Sequence, residues 1–198
     1  MHVLALETST RQPTFALADE DRLLVEWQQA SHQTTAADLL PAIQEHLGQV
    51  GWQPNEIGLV GVSIGPGSFS GLRVGLTIAK TWCHITGAAL VAIDTFDVLA
   101  QQVAPAPLVS ALIPAQRGQV FASLLKWSVE QGEYQSLVEP TWWDPLAWLQ
   151  ETPPETVHTG PGVSLLQQAT GERLRWADPS VWSPRARTVA RLAWHRYQ

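Results

Sequence analysis

The residues with most chemical potential stand at 65–75, GPGSFSGLRVG, between an apolar run, LVGVSI, and TIAKTWCHITG. A glycine-rich turn between strand and helix often holds phosphate, because the first helical N–H groups are free and the helix dipole favours an anion. A P-loop requires GxxxxGK[ST], with its lysine on the terminal phosphates. Here the segment is GPGSFSGL and the nearest lysine is Lys80. The dinucleotide fingerprint GxGxxG fails as well: Gly65, Pro66, Gly67, Ser68, Phe69, Ser70 and Gly71 run one residue too long. Two readings survive. One is generic anion binding at a helix start. The other is a turn that uses glycine for its backbone angles and for close helix–strand contact.

Other candidate chemistry is thin. The histidines His2, His32, His46, His84, His158 and His195 are scattered without an HxxxH or HExxH pair, so no metal site is expected. Ser63, Ser68 and Ser70 lack a companion His/Asp pattern, and GPGSFSG is not the GxSxG nucleophile elbow. Cys83 falls inside a helical stretch and reads as an inert core residue.

These residues need elements to position them. HVLAL (2–6), TFALA (14–18) and RLLVEWQ (22–28) read as a three-strand meander with a DED turn at 19–21. Residues 36–50 place Leu39, Leu40, Ile43, Leu47 and Val50 at helical spacing, with Pro41 in the first turns. IGLVGVSI (57–64) is a buried strand. The glycine loop follows, then a helix from about 71 to 86, a strand at 89–93 and a helix at 96–104. This βββαβαβα order is that of a ribonuclease-H-like core, one lobe of the actin-like, hexokinase-like ATPase architecture, which is a duplicated α/β fold.

The second copy starts at LVSALIPAQRGQVFASLLKW (108–127), which aligns with 3–18 and sets Glu7 opposite Pro114. Beyond 127 the signals weaken: helices at 144–151, with Asp144 as N-cap, and 164–171, strands at 156–160 and 173–176, and a terminal helix at 184–197 opened by Pro184. The expected lobes are 1–104 and a smaller, degenerate 105–198. Trp142, Trp143 and Trp148 form either a surface patch or, more in keeping with their type, packing.

An actin-like ATPase needs carboxylates at both hairpin tips to hold Mg²⁺ and orient water. The first tip has Glu7, in ETST, and the second has Pro114, in IPAQRG. Phosphoryl transfer depends on fine positioning, so losing one carboxylate disfavours an autonomous ATPase. Glu7 is then free to cap a turn or pair with Arg11.

The helix behind the loop carries a small-residue stripe, Gly71, Gly75 and Ala79, flanked by Leu72 and Leu76, with Val74, Ile78 and Trp82 further round. Its polar positions are only Arg73, Thr77, Lys80, Thr81 and His84. Surface helices carry a broad polar face. This one therefore either packs between lobes or meets another chain, and its interior glycines call for a close backbone neighbour.

Composition bounds the rest. The chain has 198 residues, 45% of them hydrophobic, a net charge of −6 and a pI near 5.4. Ten arginines and two lysines are spread thinly apart from Arg185, Arg187, Arg191 and Arg196, which disfavours direct tRNA or DNA binding by the chain alone. One cysteine excludes an internal disulfide. The N-terminus has no signal-peptide character, and no run of about 18 apolar residues exists. A soluble cytoplasmic protein is expected.

GPGSFSGLRVG resembles the GPGSFTGLRIG signature of the TsaB (YeaZ) family. LALETST resembles that family's LAIDTST, SHQTTAADLLPAI resembles HSETLLPMI with His32 at the histidine, and IPAQRGQVF resembles IDARKGEVY. The resemblance runs from residue 1 to about 125. It implies a two-lobed actin-like fold without catalysis of its own, in the dimerisation subunit of the bacterial machinery that makes N6-threonylcarbamoyladenosine at position 37 of tRNA. It further implies pairing with a TsaD-like catalytic subunit, a TsaE-like ATPase, a homodimer in isolation, and tRNA contact only through the complex. No cofactor is then expected in this chain, since ATP, Mg²⁺ and the catalytic metal belong to partner subunits. By position, Leu39, Ile43, Leu72, Arg73, Gly75, Leu76 and Ala79 become partner-interface candidates. Gly65, Pro66, Gly67, Ser68 and Gly71 become the loop that shapes the turn. The sequence departs from the family at Glu7 and Pro114, where aspartates are usual, and ends in HRYQ without a P-x-Y-L-R segment. The competing reading is a nucleotide-binding hydrolase or protease-like enzyme of the same fold, with Glu7 essential to turnover.

Overall fold

A computed structural model describes residues 1–29, 38–103, 105–170 and 174–198. Short apolar runs build the first sheet from β1 (His2–Glu7), β2 (Thr14–Asp19), β3 (Arg22–Gln28), β4 (Ile57–Ser63) and β5 (Ala89–Ile93). The order is β3-β2-β1-β4-β5, with β1–β3 antiparallel and β1, β4 and β5 parallel. The central strands β1 and β4 are covered on both faces, which explains their near-continuous apolar sequence.

One face is covered by α1 (Leu39–Val50) and α2 (Phe69–Thr86). Leu39, Ile43 and Leu47 of α1, with Ile78 and Ala79 of α2, pack on Leu4, Leu6, Phe15, Leu17, Val60 and Val62. The opposite face is covered by the terminal helix α6 (Ala186–Tyr197). There Val189, Ala190 and Ala193 meet Val3, Ala5, Ala16 and Leu59. The approach is close: a Cβ added to Gly61 of β4 would lie 2.7 Å from that of Ala193.

The second sheet holds β6 (Leu108–Pro114), β7 (Val120–Ser128), β8 (Glu133–Trp143), β9 (Val157–Thr159) and β10 (Arg175–Trp176), in the order β10-β9-β6-β7-β8. Again three antiparallel strands are followed by two parallel ones, so the strand plan of the first sheet is repeated. Its core gathers Leu112, Val120, Ala122 and Leu124 of the sheet with Trp148 of α4 (Pro145–Glu151) and Val163 and Leu166 of α5 (Val163–Ala169). Asp144 caps α4 through the Leu146 and Ala147 N–H groups.

The chain divides into two compact units, Met1–Val98 with Arg185–Gln198, and Leu99–Pro184, with α3 (Thr95–Gln102) crossing the division. This differs from the expected 1–104 and 105–198, because the terminal helix returns to the first sheet. It is fixed there by the Ala186 N–H donating to Thr14 Oγ1 at 3.0 Å, by the Arg187–Glu26 ion pair, and by Arg196–Asp97 at 2.8 Å. The other difference is β8, an eleven-residue edge strand where weak signals give no element.

Candidate functional site: the glycine loop and the helix behind it

The loop sits where β4 ends and α2 begins, against the turn that follows β1. Glu7, at the end of β1, is fully buried. Its Oε1 accepts from the Ser9 N–H at 2.7 Å and from Ser9 Oγ at 2.5 Å, and burial pushes its carboxyl above the usual range. Glu7 therefore caps the turn at Thr8 and Ser9 and is not paired with Arg11.

That turn is the neighbour that the glycines demand. The Ser68 N–H donates to the Ser9 carbonyl at 2.7 Å, and a Cβ on Gly67 would stand 2.4 Å from the same oxygen. A Cβ on Gly71 would lie 2.1 Å from the Thr8 carbonyl oxygen, and one on Gly75 2.2 Å from Thr8 Oγ1. Real side chains never approach so closely, so the stripe is occupied inside this unit by the β1 turn. Ser68 is the N-cap of α2, its Oγ accepting from the Gly71 N–H at 3.3 Å.

Beside the helix start lies a cavity of about 430 Å³, lined by Thr8, Thr10, Arg11, Pro13, Gln29, Leu39, Ser68, Ser70, Gly71 and Val74. Arg11 and the α2 N-terminus give it a mildly electropositive end. Hydrolysis needs a positioned base or nucleophile pair. Among the described lining residues there is no carboxylate or imidazole, and the Glu7 carboxylate is walled off behind Thr8 and Ser9. At the second hairpin tip, Pro114 closes β6 without a carboxylate. Among the described residues no group of His, Cys, Asp or Glu is placed to hold a metal, and no helix is long and apolar enough to cross a membrane. His32 lies outside the described residues.

The seven interface candidates separate by burial. Leu39, Ile43, Gly75 and Ala79 are buried in the unit's own core. The reason is the inward arc of α2, turned to Thr8 and the sheet, and the matching inward face of α1. Leu72 and Leu76 are half-buried on the flank of α2, and Arg73 is exposed. Phe69 lies outside the seven positions that the resemblance implies. It opens α2 and is 76% exposed, with the Arg73 guanidinium 5.6 Å from its ring centroid. Lys80 and His84 continue the exposed face, and Ile64 and Leu90 stand exposed nearby on the chain leaving β4 and on β5. Cys83 is half-buried, its thiol donating to the Ala89 carbonyl at 3.6 Å, and burial pushes it up, away from reactive thiolate.

Residues 28–140 match the family model described as TsaD: tRNA N6-adenosine threonylcarbamoyltransferase. The tRNA threonylcarbamoyladenosine biosynthesis protein TsaB of Bacillus subtilis (strain 168) is 29% identical over 128 residues, 64% of this chain and 56% of that protein. Its namesake in Haemophilus influenzae is 32% identical over 126 residues, 61% of this chain and 52% of that protein. The chain thus spans about half the length of the curated relatives it matches. YeaZ from Pseudomonas aeruginosa superposes with a TM-score of 0.81 at 24% identity, covering 99% of this chain and 93% of that one. The activator of 2-hydroxyisocaproyl-CoA dehydratase from Clostridium difficile, solved with ADPNP, superposes with a TM-score of 0.54 at 12% identity, covering 99% and 95%. At these identities the structural likeness establishes the fold alone, a duplicated α/β architecture.

Proposed function

Since the chain belongs to the family described by that threonylcarbamoyltransferase model, and within it to the TsaB (YeaZ) branch, we propose that it is a non-catalytic subunit that binds and activates a TsaD-like catalytic subunit for threonylcarbamoyl transfer to adenosine 37 of tRNA. In this reading the chain works in the cytoplasm, a TsaE-like ATPase joins the assembly, tRNA is met only through the complex, and ATP, Mg²⁺ and the catalytic metal are held by the partners.

The observation that carries the reading is the pairing of a chemically empty cavity with an exposed helix. The cavity beside the glycine loop offers no acid, base or nucleophile pair among its described residues, and Glu7 is spent on the Ser9 turn. The adjoining α2 instead presents Phe69, Arg73 and Lys80 outward with Leu72 and Leu76 on the flank. Among the described residues a hydrolase finds no acid or base lining this cavity, whereas a binding subunit finds an exposed helix face.

Leu76→Arg tests it. The substitution places a charge on the flank of α2, and the expected outcome is loss of pairing with the TsaD homologue of the same organism while the monomer keeps its thermal transition. A folded variant that pairs at wild-type strength contradicts the use of α2. Nucleotide turnover by the purified chain that falls when Glu7 is replaced contradicts the non-catalytic reading.

A further inference from the structure

Glu7 ends β1 fully buried, with only half of its carboxyl group in use. Oε1 accepts both Ser9 groups, while Oε2 has no hydrogen-bond partner. The other polar group that acts on the carboxyl is the Ser63 hydroxyl of β4, whose Oγ also accepts the Thr8 N–H at 3.4 Å. No charge answers it. Opposite Glu7 on β2 stands Thr14, which is neutral. On the turn Arg11 is exposed, and on α2 Arg73 is exposed. On α6, Arg187 pairs with Glu26 and Arg185 donates to Gln28. Asp94, before α3, accepts from the Phe96 N–H. None of these acts on the Glu7 carboxyl. An ion buried without a counter-charge, and with one oxygen unsolvated, costs more than its neutral acid, so such a group keeps its proton.

The same carboxyl stands at the root of a chain of contacts. It holds Ser9 by two hydrogen bonds, and the Ser9 carbonyl accepts the Ser68 N–H at 2.7 Å. Ser68 Oγ in turn caps α2 through the Gly71 N–H. Thr8, in the same turn, fills the space over Gly71 and Gly75. We propose that Glu7 is carried as the neutral acid in the folded chain, with its proton on Oε2, and that this proton latches the β1 turn beneath the glycine loop and α2. When the proton passes to solvent, the charge left behind has no partner. Turning Glu7 toward water relieves it, which breaks both Ser9 bonds and releases Ser68 and the first turn of α2. The unfolded chain gives up this proton near the ordinary value of 4.5, whereas burial raises the folded value. The stability that Glu7 contributes is therefore full below 4.5 and is lost as pH rises through the folded value.

The test is a titration of the full chain by NMR, from about pH 5 to about pH 9, following the Glu7 Cδ and the backbone amides. The Glu7 Cδ is expected to titrate above the usual carboxyl range, and the Ser9, Ser68 and Gly71 amides are expected to move with the same midpoint. Glu7→Gln, a neutral residue of the same shape, is expected to abolish that amide titration. It should also melt several degrees above the wild type at the alkaline end and level with it at the acid end. Buried His158 of β9 titrates in the opposite sense, so this comparison isolates the part due to Glu7. The wild-type titration decides the matter even if the variant does not fold. A Glu7 Cδ that titrates in the usual range overturns the neutral acid. A raised midpoint that leaves the Ser68 and Gly71 amides unmoved, or no titration of Glu7 across the range, overturns the latch.

Discussion

Thr8 decides what the glycines of α2 are for. Its carbonyl and hydroxyl oxygens fill the places where side chains at 71 and 75 would stand. Gly71→Ala is therefore expected to destabilise the protein by about 2 kcal/mol or more, despite alanine's better helix propensity, because the clash is with backbone. Gly48, in α1, has open space where a Cβ would go, so Gly48→Ala is expected to gain about 0.5–1 kcal/mol. Paired urea melts check both. The sequence revealed that the stripe needed a close neighbour. It did not reveal which, since nothing in periodicity ties a helix to a turn from a distant strand. His158 makes a second prediction at this scale. It is buried on β9 beside the Trp176 ring, and its Nδ1 has no hydrogen-bond partner. Burial lowers its pKa from 6.5 to about 4. Between those values the unfolded chain binds the proton and the folded chain does not, so stability is full above pH 6.5 and falls as pH drops toward 4, by roughly 3 kcal/mol. Melting temperature measured from pH 7 to pH 4 should show this fall, and His158→Leu should reduce it.

Among the elements, α6 contributes most to the first unit relative to how little its sequence position suggests. Removing residues 185–198 uncovers Val3, Ala5, Ala16 and Leu59 on the sheet. The expected result is loss of cooperative unfolding in that unit, seen as a lost near-UV dichroism signal. A truncated chain with an unchanged transition would mean that the sheet holds without its cover. The amphipathic pattern of 186–197 was legible as a helix, but its destination was not, because adjacency in sequence pointed to the second unit. The strand β8 was hidden for another reason. It is an edge strand exposed along much of one side, it contains Pro140, and register shifts opposite Ala122, Leu124 and Leu125 break the alternation that marks a strand. Of the tryptophans of this region Trp148 is in the core, and Trp143, Trp176 and Trp182 are half-buried against the same cluster. Trp148 is fully buried with Nε1 donating to Ser110 Oγ at 2.8 Å, Trp143 packs against it, and Trp182 donates to the Ala177 carbonyl. Trp142 departs from the packing expectation and is 56% exposed.

For the whole molecule, the repeated strand plan was readable from the hairpins at 3–18 and 108–127, since a duplicated unit repeats its turn and its burial pattern. The candidate site was readable only in part. The loop motif located it, but burial withdrew Leu39, Ile43, Gly75 and Ala79 from the surface and put Phe69 there instead. What remains is a duplicated α/β fold, a hairpin carboxyl group turned to the Ser9 turn, and a helix with an exposed face. The measurement that bears most directly on the proposed function is light scattering on a sizing column, with the chain alone and then mixed with the TsaD homologue of the same organism. The account predicts a new species containing both chains. Two separate peaks from folded proteins, unchanged when a TsaE homologue and ATP are added, would contradict it.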